Sequence, residues 1–367
     1  MGRKKPAGLY LRHGVWHIDK QFRGIRICES TGQGELKQAE IYLTKRLEEA
    51  RQAQVFGIRP KRSFRLAATK YLSENGHKRS IETDAYHLKL LDRFVGDLML
   101  DSVHMGTLQK FIAARHRDGV KTKTINGSLA VLRHLLNLAA SEWLDDSNLT
   151  WLLVAPKIKL LKVTDAHKPY PLSWEEQTAL FQELPAHLQP MALFKVNTGC
   201  RDGEVCSLRW EWEVAVPELD TSVFIIPDAH VKNGDDRLVI LNHVAKSVIE
   251  SMRGKHPDYV FTYKGKPTGT MHNSGWQKAR ARAGLGQVRV HDLKHTFGRR
   301  LRAAGVSFED RQDLLGHKTG KITTHYSAAE LEGLIEAANK ACETKSRKSP
   351  ALVMLKQKAA TAYAATA

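Results

Sequence analysis

The chain has 367 residues, enough for two or three domains, and its 57 Lys plus Arg against 39 Asp plus Glu give a formal net charge of +18, an excess that favours a polyanionic partner. The four cysteines have no C-x-x-C spacing, which argues against a zinc site or a disulfide framework and fits a reduced, cytosolic compartment. No apolar run is long enough for a membrane span, and no apolar h-region follows the basic first residues, so we expect a protein that is neither membrane-bound nor exported.

Residues 1 to about 60 predict three short strands followed by a helix. The strand-like patches are GLYLR, GVWHIDKQF and GIRICES, and the helical run is LKQAEIYLTKRLEEARQAQ. Residues 1–62 carry 14 basic and 6 acidic side chains, so a net +8 lies within about a sixth of the chain. We expect residues 1–60 to form an independent basic module, with a solvated basic face on a structural cap as the alternative.

Residues 63–155 predict a bundle of helices. Four stretches have apolar residues at three- and four-residue spacing, namely SFRLAATKYLSEN, IETDAYHLKLLDRFVG, TLQKFIAARHRDG and KTINGSLAVLRHLLNLAASEWL. Residues 156–172 mix proline with lysine and have no sustained period, which is typical of a linker.

A new domain begins at Ser173, because Glu176 follows three residues later and the pair forms a capping box. We expect this domain to span residues 173–340. A basic, alanine-rich tail occupies residues 341–367.

Two motifs in this domain each place a basic residue at the edge of a predicted structural element. TGCRDGEVCSLRW predicts a short helix that Arg201 opens, with Glu204 three residues further on. HVKNGDDRLVIL places Lys232 before an Asn-Gly turn, and the β-prone runs VFIIP and RLVIL flank that turn. The second motif therefore predicts a β-hairpin.

The sequence VHDLKHTFGRRLRAAG predicts a helix with two distinct faces. His291, Lys294 and His295 fall at positions i, i+3 and i+4, so a helix projects them from one face. A separate apolar stripe would bury this helix against a core, and it consists of Leu293, Phe297 and Leu301. A packed helical hairpin without catalytic function would show the same two faces.

Further along, LLGHKTG places His317 after a Gly-marked helix end, and Tyr326 follows nine residues later. The order Arg, hairpin Lys, His-x-x-basic, Gly-His and Tyr, within about residues 170–340, resembles the tyrosine recombinases, the phage integrase family. The type it resembles is the heterobivalent, lambda-integrase-like one. The resemblance implies a multidomain fold, mainly α with small β elements: a module of three strands and a helix, a helical core-binding bundle and an α+β catalytic domain.

The resemblance implies a site-specific recombinase in which Tyr326 attacks DNA and forms a 3′-phosphotyrosyl bond. Tyrosine is a weak nucleophile at neutral pH because its pKa is about 10, so its proton must be removed and the charge on the phosphate must be neutralised. Arginine suits the second task because its planar fork can bind two phosphate oxygens. The residues implied to surround the scissile phosphate are Arg201, His291, Lys294 and His317.

Three further roles follow from the same resemblance. Lys232 is expected to protonate the leaving 5′ oxygen, and Glu204 to orient Arg201. His291 is the expected acid–base group for the tyrosine proton, because histidine titrates near the working pH. No metal and no other cofactor is needed, since the covalent bond stores the energy of the broken phosphodiester.

The partners that the resemblance implies are double-stranded DNA attachment sites and other copies of the chain. The N-terminal module would bind arm-type sites, and the helical bundle and catalytic domain would close on core sites as a homotetramer. In the bundle, the expected phosphate contacts are Lys121, Lys123 and Arg133, for which a solvated surface is the alternative. A host DNA-bending protein and an excisionase are further expected partners, and the expected location is the cytoplasm of a bacterial host.

One position departs from the family pattern, and it leaves other functions open. The second box normally reads His-x-x-Arg, whereas this chain has Lys294, which keeps the charge but loses the bidentate geometry. The competing interpretation of this departure is a recombinase with weakened cleavage or a non-catalytic DNA-binding or directionality protein, which is one alternative. A topoisomerase that only relaxes DNA shares the chemistry and is another. A metal-dependent nuclease is a third, with candidate ligands among His291, Asp292, His295, His317 and His325.

Overall fold

The computed structural model describes residues 7–22, 24–232, 234–316 and 327–342. The chain divides after His167 into two compact units. Across the described residues, the helices are too short or too polar to cross a lipid bilayer.

The first unit begins with an antiparallel sheet of three strands, β1 (Leu9–Arg12), β2 (Val15–Phe22) and β3 (Ile25–Ser30), in that order. Helix α1 (Leu36–Phe56) packs against one face of this sheet. The small core between them is apolar and contains Leu9, Ile18, Ile27, Ala39 and Leu43. The prediction of three strands followed by a helix is confirmed.

A bundle of four helices completes the first unit: α2 (Phe64–Glu74), α3 (Ile81–Val95), α4 (Gln109–Arg117) and α5 (Thr122–Ser141). Helix α5 contacts the other three, because its apolar residues recur at helical spacing and are fully buried, as at Leu129, Leu132 and Leu136. The segment after the bundle is bound to α5, since the Asn126 side chain donates to the Leu161 carbonyl and accepts from the Leu161 N–H, both at 2.8 Å.

The second unit combines helices with two small antiparallel sheets. Its first helices are α6 (Trp174–Glu183), α7 (Leu188–Thr198) and α8 (Asp202–Cys206). The sheets are formed by β4 (Glu213–Val216), β5 (Thr221–Ile226) and β6 (Arg237–Val239), in that order, and by β7 (Thr262–Tyr263) with β8 (Lys266–Pro267). Its other helices are α9 (His243–Met252), α10 (Ser274–Arg282), α11 (Val290–Ala303), α12 (Phe308–Leu315) and α13 (Ala328–Lys340).

Several local predictions for this unit are confirmed. The Ser173 side chain accepts from the Glu176 N–H at the start of α6, and the Glu176 carboxylate accepts in return from the Ser173 N–H. Strands β5 and β6 pair antiparallel, with Phe224 opposite Val239. Residues 227–236 connect these strands, and Asn233 of the predicted Asn-Gly turn lies outside the described residues.

Helix α11 is the element that positions the site. Its predicted apolar stripe is buried, with Leu293, Phe297 and Leu301 at most 1% exposed. The helix packs against α7, α12 and α13. Two polar contacts also join it to the chain before α6, because Tyr170 N–H donates to Asp292 Oδ1 and Leu172 N–H donates to Thr296 Oγ1.

Candidate active site

The centre of the site is the turn between α7 and α8, which ends at Arg201. Helix α7 stops at Gly199, whose φ of 63° favours glycine, and a Cβ there would lie 2.8 Å from Phe297 Cδ1. The turn therefore lies directly against α11. Helix α8 then starts, so that Arg201 is at its N-terminus.

A carboxylate holds both the main chain and the side chain of Arg201. The Arg201 N–H donates to Glu204 Oε2 at 2.7 Å, and Arg201 Nη1 donates to Glu204 Oε1 at 2.8 Å. The Arg201 side chain is 21% exposed, whereas Glu204 is 2% exposed. The Arg201 guanidinium is thus partly exposed to solvent, whereas the Glu204 carboxylate that binds it lies inside the protein.

The Glu204 carboxylate is ionised although it is buried. Burial alone raises the pKa of a carboxyl group, but the charge of Arg237 and the hydrogen bonds from Arg201 outweigh burial and hold the pKa of Glu204 below its ordinary value. Glu204 therefore orients Arg201 as an anion near neutral pH.

His291 and His295 lie together on the same face of α11. Their ring centroids are 4.8 Å apart, and the rings meet edge to face. Burial lowers the pKa of His291 to about 4, with further contributions from His295, Lys195, Lys294 and Arg289. His291 is therefore neutral at pH 7 in the free protein, and a pKa this low makes its ring a weak base there.

Lys294 lies on the same turn of α11 but is buried. Its Nζ donates to the Gly199 carbonyl at 2.6 Å and to the Leu315 carbonyl at 2.5 Å. Burial lowers the pKa of Lys294 to about 6, and the charges of Arg237 and Arg201 add to this effect. Lys294 therefore ties the Arg201 turn to the end of α12, and an ammonium has a third N–H available for a ligand.

Two further buried cations at the turn were missed in the sequence. Lys195 Nζ donates to the Cys200 carbonyl at 2.5 Å, and Arg237 Nη2 donates to the Thr198 carbonyl at 3.4 Å. With Lys294 on Gly199, three consecutive carbonyls before Arg201 each accept from a buried basic side chain. Two features of the sequence could have identified them. Lys195 lies inside the apolar run of α7, and Arg237 lies on the same face of β6 as Val239, which is buried.

A groove of about 380 Å³ runs beside His291 on this unit. The side chains that line it are mostly basic or polar, and they include His291, Lys294, His295, Arg299, Arg302 and Arg311. Pro169 and Pro171 form another part of its wall. The groove therefore offers a positively charged surface next to the pair of histidines.

The remaining predicted site residues lie elsewhere or outside the described residues. Lys232 is exposed on the connection between β5 and β6. The phosphate contacts proposed for the bundle, Lys121, Lys123 and Arg133, are all exposed on or next to α5. His317 and Tyr326, like most of the tail, lie outside the described residues, so their roles stay predictions.

The histidine-rich box does not use its acidic residue as a free metal ligand. Asp292 is fully buried, and its carboxylate accepts from the Arg289 N–H and the Tyr170 N–H as a helix cap and a tether. Within the described ranges, which omit His317 and His325, no three His, Cys, Asp or Glu side chains cluster so as to hold a metal ion.

Comparison with known proteins gives the same family. Residues 174–332 match the family model described as the phage integrase family. The integrase of Salmonella phage P22 is 25% identical to this chain over an alignment of 374 positions. The alignment covers 90% of this chain and 93% of that protein.

Two solved structures share the fold. A lambda integrase dimer bound to a COC′ core site has a TM-score of 0.54 at 15% identity, covering 96% of this chain and 99% of that chain. A lambda integrase tetramer bound to a Holliday junction has a TM-score of 0.56 at 16% identity, covering 89% and 99%. The fold class predicted from the sequence is therefore confirmed.

Residues 174–332 form a domain of the phage integrase family, the tyrosine recombinases. The similarity to a phage integrase over 90% of the chain supports a site-specific recombinase of the tyrosine type.

Proposed function

We propose that the chain cleaves and rejoins double-stranded DNA at attachment sites through a 3′-phosphotyrosyl bond to Tyr326, and so integrates or excises a phage or mobile element. The observation that carries this proposal is the Arg201 guanidinium, partly exposed and fixed by a buried carboxylate at 2.8 Å. A preorganised fork of this kind stabilises the negative charge that develops on a phosphate in the transition state.

The proposed cleavage step forms one bond and breaks one bond. The Tyr326 oxygen attacks phosphorus, the bond from phosphorus to the 5′ oxygen breaks, and the 3′ phosphate stays on the tyrosine. His291 accepts the tyrosine proton in this scheme. Its pKa, lowered to about 4 in the free protein, makes it a weak base there, and the negative charge of the bound phosphate raises that pKa. Lys232 donates a proton to the leaving 5′ oxygen, and religation reverses both transfers.

Lys294 serves the same phosphate in this scheme while it holds the Arg201 turn. Two of its N–H groups are used by the carbonyls of Gly199 and Leu315, and the third is directed to a non-bridging phosphate oxygen. The negative charge of the phosphate raises the pKa of Lys294 from about 6, so DNA binding favours its cationic form. His317 completes the set of groups around the phosphate.

The basic groove beside His291 supports a path for the DNA backbone, because arginines that follow a groove neutralise successive phosphates. We assign residues 1–60 to arm-type sites, 63–155 and 173–340 to core sites, 156–172 to the linker between them and 341–367 to a tail. The lambda integrase complexes with a core site and a Holliday junction support binding to DNA and assembly into a tetramer. A DNA-bending protein and an excisionase are partners that follow from the family type.

Covalent trapping on a nicked suicide substrate tests the proposal. The wild-type chain is expected to form a protein–DNA adduct that persists in EDTA, whereas Tyr326→Phe binds the DNA without forming an adduct. An adduct that depends on a divalent metal, or that survives in Tyr326→Phe, would contradict the mechanism. A chain that binds core DNA but never cleaves it would support the non-catalytic alternative.

A further inference from the structure

Arg237 differs from the other two buried cations at the Arg201 turn, because it also contacts the carboxylate that orients Arg201. Its Nε lies 3.2 Å from Glu204 Oε2, and both side chains are 2% exposed. Arg201 Nη1 binds the other oxygen, Oε1. Glu204 is therefore held between two arginines, one on the surface and one inside.

Arg237 also contacts the end of α12. Its Nη2 donates to the Leu314 carbonyl at 3.3 Å and to the Thr198 carbonyl at 3.4 Å. A Cβ on Gly316 would lie 1.5 Å from Arg237 Nη1, so the guanidinium fills the space that any other side chain there would need. Gly316 has a φ of 58°, and it immediately precedes His317 in the sequence.

The guanidinium of Arg237 thus joins three pieces of chain that are distant in sequence. It touches the turn before Arg201, the Glu204 carboxylate and the residues before His317. Arg237 is buried and, unlike Lys294, is not among the side chains that line the groove beside His291, which separates it from the residues assigned to DNA.

We propose that Arg237 is a positioning residue for cleavage: it fixes the Glu204 carboxylate, and through Glu204 it fixes the Arg201 guanidinium. This role rests on the function proposed above. Without Arg237, Glu204 Oε2 keeps the Arg201 N–H but loses its cationic partner, so the carboxylate is held less firmly toward the Arg201 guanidinium. Small displacements of a group that stabilises a transition state have large effects on rate.

A double-mutant cycle on single-turnover cleavage tests this proposal with DNA at saturating concentration. Arg237→Met is expected to slow cleavage by on the order of tenfold to a hundredfold. Because both residues act through one contact, adding Arg237→Met to Glu204→Gln should slow cleavage by less than about threefold more. Arg237→Lys keeps a cation beside Glu204 and should restore part of the rate.

Lys195→Met is the matched control, because Lys195 is an equally buried cation that binds the same turn through Cys200. In the double variant with Glu204→Gln, the fold losses in cleavage rate of the two single variants should multiply. Core-site affinity, measured in the Tyr326→Phe background, should be unchanged by Arg237→Met. The proposal is overturned if Arg237→Met cleaves at the wild-type rate, or if the fold losses of Arg237→Met and Glu204→Gln multiply in the double variant. It is also overturned if Arg237→Met loses as much affinity for DNA as it loses rate.

Crystal structures of the wild type and of Arg237→Met separate this proposal from the proposed function. A displaced Arg201 guanidinium, no longer 2.8 Å from Glu204 Oε1, supports the positioning role, and an unchanged pair overturns it. That comparison holds even if the wild-type chain forms no covalent adduct, a result that would reject the proposed function alone.

Discussion

The Arg201 turn and the Lys232 connection each carry a cation assigned to DNA cleavage, but the protein holds the two side chains very differently. Arg201 is bound to a buried glutamate, and the three carbonyls before it accept from buried basic side chains. Lys232 is exposed on a connection that spans residues 227–236. The protein preorganises the first cation, and it leaves the second exposed to solvent, where DNA can contact it.

This difference matches the two chemical tasks. Stabilising charge on phosphorus benefits from a group that does not reorganise during the reaction. Protonating a leaving oxygen needs a group that can approach that oxygen once the DNA is bound. We therefore expect variants at the turn to affect every substrate alike, and variants at Lys232 to depend on the leaving group.

The largest effect is expected for Arg201→Ala. Removing the preorganised fork should slow single-turnover cleavage by about a thousandfold, the upper range for one donor to a developing oxyanion. Arg201→Lys should recover little, because a lysine cannot bind two oxygens at once. Core-site binding in the Tyr326→Phe background is the control, and cleavage by Arg201→Ala within tenfold of wild type would remove Arg201 from the site.

Lys294→Ala should slow cleavage by on the order of a hundredfold, because it removes one cation from the phosphate and releases two carbonyls of the turn. The matched control is Lys278→Ala, which removes an exposed lysine from α10 and should cleave normally. If Lys294→Ala cleaves at the wild-type rate, the site works with one fewer cation than we assign.

Lys232→Ala should slow cleavage of normal DNA by about a hundredfold, the lower range for a general acid. A substrate with sulfur in place of the 5′ bridging oxygen has a leaving group that needs no proton, so it should restore the rate of this variant. The same substrate should not restore Arg201→Ala. Equal rescue of both variants would show that the two regions do not divide the work as proposed.

The smallest effect concerns pH. His291 has its pKa lowered to about 4 in the free protein, so the change that it adds as the phosphate raises that pKa lies on the acid side of the profile. Lys294 has its pKa lowered to about 6 in the free protein, and it loses its charge as pH rises through the higher value it has with DNA bound. Wild-type cleavage should therefore decline by up to about tenfold per pH unit on the basic side.

Lys294→Arg serves as the comparison for this profile, because arginine stays protonated throughout the range. Its cleavage, measured in single turnover, should remain level on the basic side if the pocket holds the larger group. The same decline in both proteins would assign the basic limb to another residue.

Much of the fold follows from local patterns in the sequence. The capping box at Ser173 and the stripe through Phe297 depend on residues close in sequence, and both are present in the structure. The placement of Lys294 could not be predicted in the same way. Helical spacing puts it beside His291. Its buried amine, however, donates to the carbonyls of Gly199 and Leu315, which belong to distant parts of the chain.

Arg237 and Lys195 show the same limit. Each is a single basic residue in an apolar stretch, and only the tertiary packing shows that its charge is used on the turn before Arg201. Glu204 was identified because it lies three residues from Arg201, within reach of a helix cap. Contacts between residues close in sequence could thus be predicted, and those that bring distant segments together could not.

The most direct test of the account is to identify the amino acid and the DNA end in the covalent adduct. The wild-type chain is trapped on a suicide core site in EDTA, digested with trypsin, and the DNA-linked peptide is sequenced by mass spectrometry. We predict one adduct, in which Tyr326 carries the 3′ phosphate. A linkage to the 5′ end, or to Tyr363 in the tail, would contradict the assignment of the site.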